Sequence, residues 1–393
     1  MEEKSKKPKI RFKGFTEDWE QRKVSDIANR YDNLRVPITA NLREKGSIPY
    51  YGANGIQDYV KGYTHKGEFI LVAEDGANDL KNYPVQYVNG FIWANNHVHV
   101  LQGKNDISDN KFLKYAISQS NIESLLVGGG RAKLNANIMM EMNIKLPKNI
   151  QEQIAIGDYI YRLDSLITLH QRKYDKLVNV KKSLLEKMFP KNNSNVPEIR
   201  FKGFTDAWEQ RKLGDISEII GGGTPSTNID EYWNGNINWY SPAEIGEQIV
   251  VNSSQRKITK LGLEKSSAKM LPKGTVLFTS RAGIGNTAIL GDSACTNQGF
   301  QSIVPDKKQL DSYFIFSRSK ELKDYGERVG AGSTFVEVSG KQMSEMELLI
   351  PNLDEQKTIG HFFERIDNLI TLHQRKLEKI KNVKKSLLEK MFV

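Results

Sequence analysis

The feature that most constrains the fold of this chain is a repeat that occurs in two separate blocks. Residues 8–28 recur as residues 197–217 with 15 of 21 positions identical. Residues 163–189 recur as residues 366–392 with 21 of 27 positions identical. Self-similarity of this kind indicates two tandem copies of one architectural unit. We therefore expect two units that share a common frame.

The stretches between the shared blocks, residues 29–146 and 218–350, cannot be aligned with each other except weakly at their ends. Each mixes short strand-like runs with helical runs, which is typical of an α/β domain. The sequence therefore predicts two variable α/β domains, each followed by a shared helix. The predicted boundaries are residues 1–150 for the first domain, 151–189 for the first helix, 190–350 for a linker and the second domain, and 351–393 for the second helix.

The second shared block predicts a long coiled-coil helix. Its heptad a and d positions are mostly apolar over at least four heptads, and charged residues occupy the other positions, which is typical of a coiled-coil seam. Each helix would have roughly 39 residues and a length of about 58 Å. The predicted seam residues are Ile160, Leu163, Ile167, His170, Leu177 and Leu184 in the first helix, and Phe363, Ile366, Ile370, His373, Ile380 and Leu387 in the second.

The connection between the two copies predicts that these helices run antiparallel. The first helix begins where the first variable domain ends, so the second helix must return from the far end of the first. Joining Val393 to Met1 would also mimic, in spacing and content, the junction found inside the chain at residues 188–204, which makes the sequence nearly a closed circle. We therefore expect a pseudo-two-fold symmetric molecule, in which two long antiparallel coiled-coil helices separate two α/β domains.

The charge of the chain favours an anionic partner. Lys and Arg number 57 and Asp and Glu 47, a formal net charge of +10 over 393 residues, and nucleic acid is the leading candidate for such a partner. The first ten residues are charged and no run of about 18 apolar residues occurs, so we expect a cytoplasmic protein with no membrane segment. The single cysteine, Cys295, excludes an internal disulfide and a finger-type zinc site.

The loops of the variable domains are rich in Gly, Asn, Ser, Thr, Arg and Lys. Such side chains suit phosphate contacts and hydrogen bonds to base edges, although loops of this composition are also common as solvated turns. The candidate DNA contacts in the first domain are Tyr50, Tyr51, Asn54, Asp75, Asn78, Lys81, Asn96, Arg131 and Lys133. Those in the second domain are Thr224, Ser226, Thr227, Ser280, Arg281, Asn286, Asn297, Gln298, Ser333 and Thr334.

Signatures of methyl transfer and of nucleotide binding are absent from the sequence. All twelve prolines are isolated, so the Asn/Asp-Pro-Pro-Tyr/Phe motif of amino-methyltransferases does not occur. Neither Gly-Lys pair, at residues 103–104 and 340–341, is followed by the Ser or Thr that a phosphate-binding loop requires. The sequence therefore predicts a chain that binds neither a methyl donor nor a nucleotide.

One pattern imitates a metal-dependent nuclease: Pro-Asp at residues 305–306, followed by Glu-Leu-Lys at residues 321–323. That chemistry needs the glutamate and lysine on a strand, whereas residues 312–328 are predicted to be helical. His97 and His99 could lie on one side of a strand as metal ligands, but no acidic or thiol neighbour completes a ligand shell. Structural histidines are therefore favoured, and we predict no catalytic residue and no metal site.

At this level of organisation the chain resembles the specificity subunits of type I restriction-modification systems. The similarity rests on the alternation of variable domains and long helices, and it covers essentially the whole chain. It also rests on five local motifs: PYYGANGIQDYV at residues 49–60, LPKNIQEQIAI at 146–156, GGGTPST at 221–227, TNQGFQSI at 296–303 and IPNLDEQKTI at 350–359.

The resemblance implies a non-catalytic protein whose two target-recognition domains each read one half of a split, double-stranded DNA site. In that family the helices set the gap between the halves, and two methyltransferase subunits join to methylate adenine at N6. Two restriction and motor subunits then add to the complex. The resemblance implies S-adenosylmethionine on the methyltransferase subunits, ATP and Mg²⁺ on the motor subunits, and no cofactor on this chain.

Two other functions remain open at this point. The first alternative is a coiled-coil scaffold whose terminal domains bind proteins, which predicts no DNA binding at about 150 mM salt even with partners present. The second is a self-sufficient nuclease, which depends on the nuclease-like pattern alone.

Overall fold

A computed structural model describes residues 7–128, 132–191, 194–281, 283–331 and 337–392. The chain forms two compact units. The first unit comprises Met1–Arg172 together with Gln374–Val393, and the second comprises Lys173–His373. Each unit therefore contains one variable domain, a segment of the first long helix and a segment of the second.

The first unit is built on a six-stranded sheet. Its strand order is β2-β7-β5-β6-β3-β4, while β1 and β8 form a separate antiparallel pair. Neighbouring strands are antiparallel except for the parallel pair β3 and β6. The strands are β1 (Glu20–Lys23), β2 (Ala28–Arg30), β3 (Lys45–Gly52), β4 (Gly55–Val60), β5 (His65–Ala73), β6 (Val85–Ala94), β7 (Val98–Gly103) and β8 (Asn143–Leu146). The helices are α1 (Val24–Ile27), α2 (Asn110–Ser118), α3 (Ala136–Met140) and the first long helix, α4 (Ile150–Lys187).

The second unit is built on a five-stranded and a three-stranded sheet. The orders are β10-β17-β14-β15-β12 and β13-β11-β16, and β18 pairs with β9. The strands are β9 (Glu209–Lys212), β10 (Ser217–Gly221), β11 (Trp233–Tyr240), β12 (Val250–Val251), β13 (Arg256–Ile258), β14 (Val276–Phe278), β15 (Thr287–Leu290), β16 (Cys295–Thr296), β17 (Gln301–Pro305) and β18 (Glu347–Ile350). The helices are α5 (Leu213–Ile216), α6 (Lys260–Glu264), α7 (Ser312–Ser317), α8 (Ser319–Gly330), α9 (Gly340–Ser344) and the second long helix, α10 (Leu353–Met391).

The two variable regions share a strand order that their sequences do not reveal. The run β2-β7-β5-β6 in the first unit corresponds to β10-β17-β14-β15 in the second. The run β6-β3-β4 corresponds to β16-β11-β13, and the parallel pair β3 and β6 has its counterpart in β11 and β16. The predicted class, two mixed α/β domains with two long helices, is therefore confirmed.

Each domain is tied to the start of its long helix by a buried ion pair. Arg11 donates two hydrogen bonds to the Glu152 carboxylate, at 2.6 and 2.7 Å. Arg200 donates two to Glu355, both at 2.7 Å. Both glutamates are fully buried, and a bidentate guanidinium is the partner that best satisfies a carboxylate away from water. These pairs join the first shared block to the helix in each unit.

The residue after each of these glutamates is a buried glutamine. Gln153 accepts a hydrogen bond from the Asp109 backbone N–H at 3.1 Å and donates to the Ile107 and Pro147 carbonyls at 3.0 and 2.9 Å. Gln356 makes the equivalent three bonds in the second unit. A buried amide is stable only when its donors and acceptor are satisfied. The Glu-Gln pair in each copy of the motif therefore has a structural role.

The other long helix completes the core of each unit. Phe392, just after α10, packs on Trp19 and Phe112 of the first unit, with ring centroids 6.2 and 5.4 Å apart. Phe189, just after α4, packs likewise on Trp208 and Phe314, at 5.9 and 5.7 Å. Aromatic contacts of this size dominate core energetics. Residues from the end of one helix and the start of the other thus share a core in both units.

Ion pairs between the helices follow the same repeat. Lys384 lies 2.5 Å from the Asp164 carboxylate in the first unit, and Lys181 lies 2.6 Å from Asp367 in the second. Met391 shares the core that contains Ile156, which precedes Asp164 by about two helical turns. The helix segments within each unit therefore run antiparallel, as predicted.

The predicted seam positions are among the less exposed ones along both helices. Ile160, Phe363 and Ile366 are buried. The remaining predicted seam residues are half-buried: Leu163, Ile167, His170, Leu177, Leu184, Ile370, His373, Ile380 and Leu387. None of the helices in the described part of the chain is both long and apolar enough to cross a lipid bilayer.

We expect the Arg200→Met substitution to lower the free energy of unfolding by about 3–5 kcal/mol, because it leaves the Glu355 charge buried without a partner. Urea unfolding followed by circular dichroism measures this loss. The double variant Arg200→Met with Glu355→Leu should recover most of it. Lys212→Met is the matched control, because Lys212 pairs with Glu345 on the surface and should cost less than about 1 kcal/mol. Equal losses in the two single variants would contradict the assigned role of the buried pair.

Candidate nucleic-acid interface

In the first unit, candidate residues from separate loops contact one another. Asn54, in the turn between β3 and β4, donates a hydrogen bond from its amide to the Gly76 carbonyl at 2.9 Å. Its amide oxygen accepts a bond from the Asn78 backbone N–H at 2.9 Å. Lys81 is exposed in the same loop as Asn78. These loops therefore form one polar surface at the end of β3 and β5.

A cluster of charges fixes the segment that carries Lys133 to this surface. The Lys133 ammonium lies 2.9 Å from the Glu74 carboxylate, which also accepts a hydrogen bond from Arg35 at 2.6 Å. Burial of Glu74 would raise its pKa, but the hydrogen bonds from Arg35 and Lys133 and the neighbouring His99 hold that pKa below its usual value. The backbone N–H of Leu134 also donates to the Glu74 carbonyl, at 2.7 Å. Lys133 is thus held in place by an acidic partner.

His99 lies under this segment and is almost fully buried. Its Nδ1 lies 2.7 Å from the Asp32 carboxylate and its Nε2 lies 2.8 Å from the Leu134 carbonyl. Burial would raise the Asp32 pKa, but hydrogen bonds from His99 and the Val100 N–H and the charge of Arg35 hold it below its usual value. The favoured interpretation of His99 as a structural histidine fits these contacts.

Asp32 and Arg35 were not among the residues that the sequence singles out. Arg35 contacts Glu74 and also donates to the carbonyls of Val98 and Asn96, at 2.7 and 3.5 Å. Both residues lie in a short 3₁₀ turn and its cap, far from their partners along the chain. No local pattern links residues separated in this way, so only the tertiary fold identifies them.

Three further candidates of the first unit are Asp75, Asn96 and Tyr51. Asp75 accepts a hydrogen bond from His97, next to the exposed Asn96. Tyr51 is half-buried, and burial raises its pKa. Asp75 also bridges to Lys133 through the backbone. The structure therefore brings Asn54, Asp75, Asn78, Asn96 and Lys133 together.

In the second unit, Arg281, Asn286 and Asn297 line one concavity of about 500 Å³. Its other walls come from residues 241–243, Ile245 and Gly299. Arg281 and Asn286 follow β14, whereas Asn297 follows β16. Three loops that are distant in the sequence thus converge on one polar depression.

Four other candidates of the second unit lie on neighbouring loops. The Thr224 hydroxyl donates a hydrogen bond to the Gln298 side chain, which links the glycine-rich loop to the loop after β16. Ser226 and Thr227 are exposed, and the Ser226 carbonyl accepts a bond from the Trp233 indole at 3.0 Å. These residues form a rim that is open to solvent.

The structure places two candidates in the protein interior. Tyr50 is buried, and its hydroxyl both accepts from the Ile38 N–H and donates to the Ile38 carbonyl. Ser280 is buried at the end of β14. Neither side chain offers a surface to a ligand. Three further candidates, Arg131, Ser333 and Thr334, lie outside the described residues.

The acidic residues of the nuclease-like pattern make contacts within the fold. Glu321 lies on helix α8, as the sequence predicts, and its carboxylate pairs with Arg318 at 2.7 Å. Asp306 accepts hydrogen bonds from the Gln309 amide and the Lys308 N–H, at 2.7 and 3.0 Å. Across the described ranges, no three His, Cys, Asp or Glu side chains are grouped so that they could hold a metal ion.

The two units also match one known sequence family. The family described as "Type I restriction modification DNA specificity domain" matches residues 16–179 and again residues 205–382, which together span most of the chain. The chain belongs to the type I restriction-modification specificity family. The resemblance is therefore confirmed, and each match lies within one copy of the repeat.

Individual members of this family resemble the chain over between about half and nearly all of its length. A putative type I restriction enzyme specificity subunit of Haemophilus influenzae is 29% identical over 371 residues, which cover 91% of this chain and 89% of that protein. A specificity subunit of Methanocaldococcus jannaschii is 35% identical over 189 residues, covering 47% and 44%. The crystal structure of the type I system S subunit from M. genitalium has a TM-score of 0.65 at 16% identity, covering 98% of this chain and 99% of that one. This last likeness supports the fold.

We expect Asp32→Asn to lower the free energy of unfolding at pH 7 by about 1–3 kcal/mol, because His99, Arg35 and the Val100 N–H lose a carboxylate partner. Since the pKa of Asp32 is lowered in the folded state, its stabilising contribution is present above its unfolded pKa and is lost as the pH falls through the folded one. The difference between wild type and variant should therefore shrink as the pH falls from 7 to 3 in urea titrations. The exposed Asp292→Asn serves as control, and a difference that does not change with pH would contradict the assigned contacts.

Proposed function

We propose that this chain is the DNA-reading subunit of a type I restriction-modification complex, in which each unit reads one half of a bipartite, asymmetric site. One observation carries this proposal: two units with the same strand order present different side chains at their loop surfaces. A symmetric dimer suits a palindrome. A chain whose two units share a strand order but differ in their loop surfaces suits a site with two unlike halves.

Binding and sequence reading would come from different parts of these surfaces. Phosphate contacts position a protein on DNA and supply most of the affinity, whereas contacts to base edges specify the sequence. The net charge of +10 supports the first role. The amide-rich loops around Asn54, Asn78, Asn286 and Asn297 support the second, because amides can donate to and accept from the same base edge.

In this proposal the partner subunits, and not this chain, carry out the methylation and cleavage reactions. Adenine in a duplex must be flipped out of the stack before its N6 can be methylated, and this chain would hold the register while two methyltransferase subunits flip and modify the base. S-adenosylmethionine would be bound by those subunits. ATP and Mg²⁺ would be bound by two restriction and motor subunits that join the complex.

The long helices offer a surface for the methyltransferase subunits. Leu166 and Leu169 of α4 have exposed fractions of 42 and 45%, and the repeat-related Leu369 and Leu372 of α10 have 45 and 44%. Paired exposed leucines on a solvated helix favour a protein partner. Because one such pair occurs in each unit, the proposal accommodates two copies of the same partner.

In this proposal the long helices also set the distance between the two half-sites. Helix α4 has 38 residues and α10 has 39, which correspond to lengths of about 57 and 58 Å. In this proposal the spacer between the half-sites depends on helix length alone. Changes in the loops should therefore leave the spacer as it is.

Replacing residues 29–146 with the corresponding region of another family member should change one half-site and leave the other half-site and the spacer unchanged. The reciprocal exchange, over residues 218–350, should change the other half. Sequencing the methylated adenines in cells that carry the chain with its methyltransferase measures both. A change of both half-sites by one exchange would contradict the modular assignment. A parent complex that methylates no bipartite site would contradict the function itself and favour a scaffold.

Changing Leu166 and Leu369 together to Glu should weaken association with the methyltransferase subunit by about tenfold or more, since burying one leucine contributes about 1.5–3 kcal/mol. Co-purification and titration calorimetry measure the effect. Asn179→Glu with Asn382→Glu is the matched control, because these residues are exposed on the same helices. The proposed docking surface would be refuted by leucine variants that bind as tightly as the control.

A further inference from the structure

One position at the end of a central strand is equivalent in the two units. In the first unit, the Leu134 backbone N–H donates to the Glu74 carbonyl at 2.7 Å. In the second, the Val338 N–H donates to the Ser280 carbonyl at 3.0 Å. Glu74 directly follows β5, whereas Ser280 comes two residues after β14, next to Thr279, whose bridge to Phe300 continues the strand pairing. The residue after each of them therefore occupies the same place on the candidate DNA surface.

That next residue has opposite charge in the two units. In the first unit it is Asp75, which accepts a hydrogen bond from His97. In the second it is Arg281, and its guanidinium lies 3.9 Å from the Glu337 carboxylate. An exposed ion pair at that distance contributes little. The Arg281 side chain is 41% exposed, so its fork of N–H donors remains available to a ligand.

The surroundings of Arg281 suit a base edge more than a phosphate. The concavity of about 500 Å³ is lined by one cationic side chain, Arg281, with Asn286, Asn297 and otherwise uncharged residues. The Asn297 side-chain oxygen accepts a hydrogen bond from the Gly299 N–H at 2.8 Å, which leaves its NH₂ group to donate elsewhere. A phosphate site typically gathers several cations and backbone N–H groups. A single guanidinium between two amides is instead typical of direct base reading.

We infer that Arg281 is a specificity-determining residue, which recognises a guanine in the half-site read by the second unit. This inference rests on the proposed function. The planar guanidinium donates two parallel hydrogen bonds to O6 and N7 of guanine in the major groove, a pair that no other base offers. At the equivalent place the first unit presents a carboxylate, which can only accept. At this equivalent position the second unit therefore offers hydrogen-bond donors to its half-site, whereas the first unit offers acceptors.

The test is to map methylated sites for the complex of the full-length chain with its methyltransferase, for wild type and for Arg281→Gln. The half-site that belongs to the second unit is identified by the exchange of residues 218–350. We expect Arg281→Gln to reduce the preference for guanine at one position of that half-site by roughly ten- to a hundredfold. The other half-site should stay as selective as in wild type, which also shows that the variant complex is folded.

Two matched variants separate base reading from charge. Lys320→Gln removes one exposed positive charge from the same unit, and Glu337→Gln removes the acidic neighbour of Arg281. Both should retain the wild-type preference for guanine. The inference is overturned if Arg281→Gln retains that preference, lowers methylation equally for all sequences as a lost phosphate contact would, or relaxes an A·T position. A wild-type complex without a bipartite site would instead refute the proposed function.

Discussion

The buried Glu-Gln pair at the start of each long helix is the constraint on which the rest of the structure depends. Glu152 holds Arg11 of the first shared block, while Gln153 bonds to the backbone of Ile107 and Asp109 inside the variable domain and of Pro147 just after it. These contacts hold both ends of the variable domain against the start of the long helix. Because the two ends are held in this way, the loops between them can differ without altering how the domain joins its helix. Glu355 and Gln356 impose the same condition on the second unit.

Much of the architecture could be predicted from the sequence because it follows local rules. The heptad pattern predicted both long helices, and the alternation of strand-like and helical runs predicted two α/β domains. The common strand order of the variable regions could not be predicted, since strands of one sheet can keep their positions while nearly every side chain changes. Strand register is set by which face is buried and by turn geometry. Neither condition requires sequence identity between the two domains.

The candidate DNA surface could likewise be predicted only in part from the sequence. Loop composition singled out segments that the fold brings into contact, such as those of Asn54 and Asn78. It could not separate side chains that face solvent from those that face the core, and Tyr50 and Ser280 are buried. Nor could it find Asp32 and Arg35, whose partners are remote in the sequence. Polar composition indicates where a surface lies, but burial decides which residues belong to it.

The aromatic contacts of the first unit have a consequence for how the chain folds during synthesis. Leu387, Leu388, Met391 and Phe392 complete a core that otherwise consists of residues from the first half of the chain, including Trp19 and Phe112. The ribosome adds them long after the strands of that unit have emerged. The second core, which extends from Met188 to Ile366, is complete earlier. The unit that is made first should therefore be the last to reach its native packing, and until then part of its apolar core stays uncovered and open to aggregation.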